Sequence, residues 1–149
     1  MQQSETLLYK IETIGKERKL NLTTHRKLIL EILIENNRAM TAYELLDILQ
    51  QRSTTAKPPT VYRGVEYLIE HGLIHRIESL NRYILCPHFT QPTHSAILFI
   101  CDNCSSIIEK HSDIIERNIR KKAKNEGFGV TRSVIELRGR CQTCENPQP

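Results

Sequence analysis

The chain has 149 residues, with 21 Lys and Arg against 17 Asp and Glu for a formal net charge of +4. That length makes one domain or two small ones and excludes a large multidomain enzyme. With 39% hydrophobic residues, 26% charged residues and no tryptophan, the composition is that of an ordinary globular protein, not a disordered or fibrous one. The basic excess divides evenly, residues 1–86 and 87–149 each being +2, so charge permits contact with nucleic acid without naming a partner. No apolar stretch follows a basic start at the N-terminus, and the longest apolar run is Ala96 to Cys101. With no signal peptide or membrane span expected, the protein is placed in the cytoplasm.

Leu7, Leu8, Ile11 and Ile14 recur at helical spacing, as do Leu28, Ile29, Ile32 and Leu33 behind a Thr23-Thr24 start suited to capping. Two amphipathic helices follow from this pattern. Thr41 with Glu44 three residues on is a capping-box signature leading into Leu45, Leu46, Ile48 and Leu49, a third helix that should end before Ser53-Thr54-Thr55. A fourth begins at Pro58-Pro59, where the missing N–H groups have no intrahelical partner in any case, and stops at Gly72. Its apolar stripe is Val61, Val65, Leu68 and Ile69, which leaves Tyr62, Arg63, Glu66 and Tyr67 facing outward.

Leu73 to Glu78 and Arg82 to Cys86 are short β-prone runs separated by Ser79-Leu80-Asn81, the pattern of a hairpin. Helices followed by a hairpin predict a winged helix-turn-helix. Beyond the loop at 87–92 come a strand through Cys101, a helix from about Ser112 to Lys124, a stop at Gly127 and a strand from Phe128 to Leu137. The expected fold class is α+β. In such a fold the fourth helix has the character of a recognition helix: an outward Arg63 can bond guanine bidentately, and Tyr62 can meet a thymine methyl or a phosphate. The run Arg117, Arg120, Lys121, Lys122 and Lys124 is read as a solvated face that complements its helix dipole.

Five cysteines say more than the charge. Cys101 and Cys104 form one C-x-x-C and Cys141 and Cys144 another, while Cys86 stands alone. Two such pairs in a chain without an export signal point to tetrahedral zinc before disulfides. The 36 residues between the pairs exceed a zinc-ribbon spacing, so the ion should pin together elements separated by a helix and a strand. A second donor set remains: His75 in the hairpin, Cys86 at its exit, His94 beyond it and Glu109 after the first C-x-x-C, with His88 and His111 as alternative ligands. A rival reading makes Cys86 the nucleophile of a thiol enzyme with His75 or His94 as base, but no phosphate loop, orienting acid or cofactor signature accompanies it.

Ala56-Lys57-Pro58-Pro59-Thr60-Val61-Tyr62-Arg63, the hairpin ending Tyr83-Ile84-Leu85-Cys86, the run Gln91-Pro92-Thr93-His94 and Phe99-Ile100-Cys101-Asp102-Asn103-Cys104 together resemble the ferric uptake regulator family, in its zinc uptake regulator branch. The resemblance covers nearly the whole chain. It implies an N-terminal winged-helix domain over residues 1–86, a hinge over 87–94 and a small α/β dimerisation domain over 95–149. It implies two zinc ions per chain, a structural one on Cys101, Cys104, Cys141 and Cys144 and a sensing one on His75, Cys86, His94 and Glu109. The expected function is that of a homodimeric repressor, not an enzyme, that binds pseudo-palindromic operators of zinc-uptake genes when zinc is sufficient. Tyr62, Arg63, Thr60 and Tyr43 are the expected DNA contacts, and no small-molecule substrate or membrane partner is expected. Iron- and peroxide-sensing relatives carry a histidine-rich run before the first C-x-x-C where this chain has Pro92-Thr93-His94-Ser95-Ala96, which argues for zinc over iron, as does a donor set with a soft thiolate.

Overall fold

The computed structural model describes residues 2–91 and 95–146, and the chain divides into two compact units, Met1–Pro92 and Thr93–Pro149. The boundary falls inside the segment expected as a hinge. Residues just before it belong with the first unit, since Phe89 is 4% exposed in that unit's core and its carbonyl accepts a 2.7 Å hydrogen bond from Arg18 Nη2. Among the described residues no helix is long and apolar enough to cross a membrane.

The first unit contains α1 (Gln2–Glu17), α2 (Thr24–Asn36), α3 (Ala42–Arg52) and α4 (Pro58–Glu70), followed by a hairpin of β1 (Ile74–Ile77) and β2 (Arg82–Leu85). Ile29, Leu30, Ile32 and Leu33 of α2, Leu45 and Leu49 of α3, and Val61, Val65 and Leu68 of α4 form one core with Ile11 of α1. Gly64 permits close packing of α4 on α2, because a Cβ there would lie 2.6 Å from Ile29 Cδ1. The hairpin is closed by Asn81 at φ 49° and joined to the helices by a bridge between Met40 and Tyr83. This is the winged helix-turn-helix that the sequence predicts. One side chain departs from expectation: Tyr67 is half-buried and does not face outward, because its hydroxyl accepts the Asn21 N–H at 2.7 Å, Arg26 lies over its ring at 3.5 Å and His71 stacks on it at 4.1 Å.

Both ends of α3 form as the sequence requires. Thr41 Oγ1 accepts the Glu44 N–H at 3.2 Å while the Glu44 carboxylate accepts the Thr41 N–H at 2.7 Å, the reciprocal bonding of a capping box. The Thr41 backbone bond, aided by Arg38, lowers the Glu44 pKa from 4.5 to about 2. A folded value below the unfolded one means that this contribution to stability is complete above pH 4.5 and is lost as the pH falls toward 2. Thermal melts should therefore show that Glu44→Gln loses less stability than the parent across that acid interval. Thr41→Ala should cost about 1 kcal/mol at neutral pH.

The second unit is built on a three-stranded sheet in the order β4 (Ile107–Lys110), β3 (Ala96–Cys101), β5 (Val134–Gly139), with α5 (Asp113–Asn125) and a single turn, α6 (Gln142–Glu145). The apolar run Ala96 to Cys101 is the central strand, antiparallel to β4 and parallel to β5. The expected strand from Phe128 begins only at Val134. Residues before it are tied to α5 instead, Phe128 N–H bonding Ala123 O at 2.8 Å and Arg120 Nη1 bonding Val130 O at 3.0 Å. Among the described residues every buried hydrophobic side chain of this unit lies on β3: Ala96, Ile97, Leu98, Ile100 and Cys101. Ile108, Phe99 and Leu137 stand side by side across the sheet and are about half exposed. A core of one strand is too small to hold a fold alone, so this unit needs a staple and a covering partner.

Candidate metal centre and nucleic-acid interface

Burial of Val61, Val65 and Leu68 against the core fixes the rotation of α4, and it leaves Tyr62, Arg63 and Glu66 exposed, Tyr62 at 45%. Tyr43, in the first turn of α3, is 79% exposed. Thr60 is half-buried, and its hydroxyl accepts the Lys57 N–H at 3.1 Å, so it also closes the first turn of α4. The helix thus presents an aromatic ring and a guanidinium to solvent from a rigid support, which is what reading base edges in a major groove requires.

In the second unit the parallel pairing of β3 with β5 brings the two C-x-x-C pairs together. Cys101 is in register with Gly139, and both strands run toward the same end of the sheet, so Cys141 emerges beside Cys101. The junction is braced by the Asp102 N–H to Gly139 O at 2.8 Å and by an ion pair of Arg138 Nη2 with Asp102 Oδ1 at 2.6 Å. Sequence reading passed over that brace, since residues 36 apart are joined only by the sheet. Cys141 caps the short α6, and its N–H donates to Cys101 Sγ at 3.4 Å. All four sulfurs lie within 4.8 Å of one another, Cys104 and Cys141 at 3.7 Å. Tetrahedral zinc with Zn–S bonds of about 2.3 Å sets sulfurs about 3.8 Å apart, so the donor set fits that ion in identity and spacing.

The electrostatics of the four thiols are uneven. Backbone hydrogen bonds from Cys104 and then Cys141 pull the Cys101 thiol down to about 6, and bonds with Ser106 lower Cys104. Cys144 is pushed up to about 11: Asn103 opposes the shift, but the crowding of Cys141, Cys104 and Cys101 outweighs it. Four thiolates become compatible only when a divalent cation offsets their mutual repulsion.

The second predicted set is divided between the units. His75, on β1, is 5% exposed, and Cys86, just past β2, is fully buried with its N–H bonded to Leu73 O at 3.0 Å. The hairpin brings these two to the same end of the wing's ladder. Glu109 is half-buried on β4 of the second unit, in register with Leu98, and His94 lies outside the described residues. Of the alternative ligands, His111 has both ring nitrogens engaged, Nε2 with Asp113 Oδ1 at 2.7 Å and Nδ1 with Ser95 O at 3.5 Å, and the Asp113 bond raises its pKa. The half-buried His88 lends its carbonyl to the Gln91 N–H at 2.9 Å.

Residues 17–138 match the ferric uptake regulator family along their length. The chain belongs to that family. Among its members, the chain is similar to the zinc uptake regulation protein of Escherichia coli, with 39% identity over 95% of this chain and 82% of that protein. Its likeness to the ferric uptake regulation protein of Campylobacter jejuni is lower, 29% over 95% of this chain and 90% of that protein. A solved structure of a zinc uptake regulator complexed with zinc and DNA superposes with a TM-score of 0.87 at 39% identity, covering 95% of each chain. The family resemblance read from the sequence is therefore established, and within the family it runs toward the zinc regulators.

Proposed function

We propose that this chain is a zinc-responsive, homodimeric transcriptional repressor that binds pseudo-palindromic operators of zinc-uptake genes when zinc is sufficient. The reading is carried by a winged helix with an outward Tyr62 and Arg63 in one chain with a four-sulfur cluster of zinc dimensions. It is supported by the likeness to a regulator solved with zinc and DNA. A second copy is the partner that the thin core and the apolar row of Ile108, Phe99 and Leu137 call for.

Two ions per chain are proposed. Cys101, Cys104, Cys141 and Cys144 hold the structural zinc, which supplies folding free energy and no chemistry. His75, Cys86, His94 and Glu109 hold the sensing zinc. Since His75 and Cys86 belong to the first unit and Glu109 to the second, ligands sharing one ion tie the units together. The tied arrangement is the one in which the α4 helices of a dimer reach two half-sites at once. The switch then has one energetic source, the tighter binding of zinc to the DNA-competent arrangement than to the untied one. The full burial of Cys86 suits a ligand thiolate better than a solvent-accessible nucleophile.

Metal analysis should find two zinc ions per chain, with about one removed by mild chelation and operator binding lost with it. A single zinc that resists chelation, with operator binding unaffected, would overturn the sensing role. Arg63→Ala should weaken operator binding by about 1–3 kcal/mol and relax preference at one base pair per half-site, as read by competition with single-base operator variants. Equal loss on random DNA would reassign Arg63 to phosphate contact.

A further inference from the structure

The end of α1 reaches a part of the chain that helical spacing gives it no reason to touch. Arg18 follows the last residue of that helix, with its N–H still bonded to Ile14 O at 2.9 Å. Lys19 then enters the left-handed region at φ 55°, its N–H on Lys16 O at 3.1 Å and the Leu20 N–H on Gly15 O at 2.8 Å, which is the paired bonding of a Schellman helix end. The Arg18 backbone is therefore rigidly placed. From this support its half-buried side chain crosses to Phe89, 71 residues later, and Nη2 donates to the Phe89 carbonyl at 2.7 Å.

The carbonyl so held lies on the path out of the wing. Cys86 N–H is fixed on Leu73 O at 3.0 Å, the Phe89 ring is packed in the core of the first unit, and Gln91 N–H returns to His88 O at 2.9 Å. With Arg18 these holds carry order from the hairpin almost to the boundary between the units at Pro92. The Arg18 hold differs in kind from the rest. A guanidinium is shaped to give two parallel bonds to a carboxylate, whereas this one gives a single bond to a carbonyl and leaves Nη1 buried without an acceptor among the described residues. The charge-assisted bond gained and the buried donor left unmet are opposite in sign and similar in size. Such a hold stands near balance, and a small bias makes or breaks it.

We infer that Arg18 is a positioning residue of the zinc sensor: by holding the Phe89 carbonyl it fixes where the chain leaves the first unit after Cys86, so that fewer residues remain to be ordered when the sensing ion binds. This rests on the sensing role proposed above for Cys86. Arg18 ligates no ion and acts through the conformational entropy that the hinge loses on zinc binding. Coupling of this kind is reciprocal, so bound zinc strengthens the hold as the hold strengthens zinc binding.

The test is a zinc titration of the full chain, read by operator binding in buffered zinc, for the parent, Arg18→Met and Cys86→Ser. Arg18→Met keeps an apolar stem and removes every donor. Its zinc midpoint should rise about 3- to 10-fold, the worth of one buried hydrogen bond, while operator affinity at saturating zinc stays within about twofold of the parent. A purely structural role would not separate these two readouts. If Arg18→Met fails to fold, Arg18→Gln, polar but too short to reach the carbonyl, is read by the same two criteria. An unchanged midpoint in the Arg18 variant beside a raised one in Cys86→Ser would overturn the inference and leave the sensing role standing. Operator affinity reduced as much at saturating zinc as below it would overturn it too, by making Arg18 a prop of the winged helix. An unchanged midpoint in Cys86→Ser would overturn the sensing role itself.

Discussion

Cys104→Ser and Cys141→Ser will each unfold the second unit, giving a chain that is cleaved there by protease, dimerises poorly and fails to repress at any zinc concentration. A four-sulfur site has no spare ligand, and the apparent free energy of structural zinc binding, about 10–16 kcal/mol, matches or exceeds the whole stability of a typical small domain at about 5–15 kcal/mol. The second unit has little to set against that loss, since among the described residues its buried apolar side chains all lie on β3 and the row Ile108, Phe99 and Leu137 stays half exposed. The first unit should survive, because its core draws on all four helices and the hairpin. Limited proteolysis with mass readout checks both halves of this expectation: a protected fragment ending near residue 92 is the predicted product. Uniform resistance to protease across the whole variant chain would show that the cysteines do not hold the fold.

Cys86→Ser and Glu109→Ala should fail in a different way. Both are expected to leave a folded dimer that keeps about one zinc per chain but needs much more zinc to bind its operator, because the change falls on an equilibrium between arrangements and not on the fold. Raising zinc should partly restore binding, whereas no zinc concentration rescues Cys104→Ser. Zinc titrations read by operator binding measure the shift directly, and a tenfold shift in the zinc midpoint corresponds to about 1.4 kcal/mol. An unchanged midpoint in Cys86→Ser would remove it from the sensing set and make His88 the next ligand to test, since both His111 ring nitrogens are already engaged. Unfolding and proteolysis of the second unit in Cys86→Ser, as expected for Cys104→Ser, would erase the division between structural and sensing sites.

What the sequence determined by itself is the part of the molecule governed by near neighbours along the chain. Thr23 and Thr41 as caps, Pro58-Pro59 as a start, Gly72 as a stop and the 3.6-residue stripe on α4 act over one or two turns, and each forms where the local rules place it. The ligand types were legible for the same reason: two C-x-x-C pairs are a local pattern whose chemistry needs no fold to be recognised. Tertiary structure decided whatever depends on a distant partner. β4 is four residues long and becomes a strand only because β3 lies beside it, whereas residues 128–133 fail to become one because α5 holds them. Tyr67, which helical spacing turns outward, is drawn in by Asn21 and Arg26, which lie more than forty residues earlier in the chain. The four cysteines converge because β3 and β5 are parallel, and a hydrogen-bond ladder between strands more than thirty residues apart leaves no periodic trace in either of them.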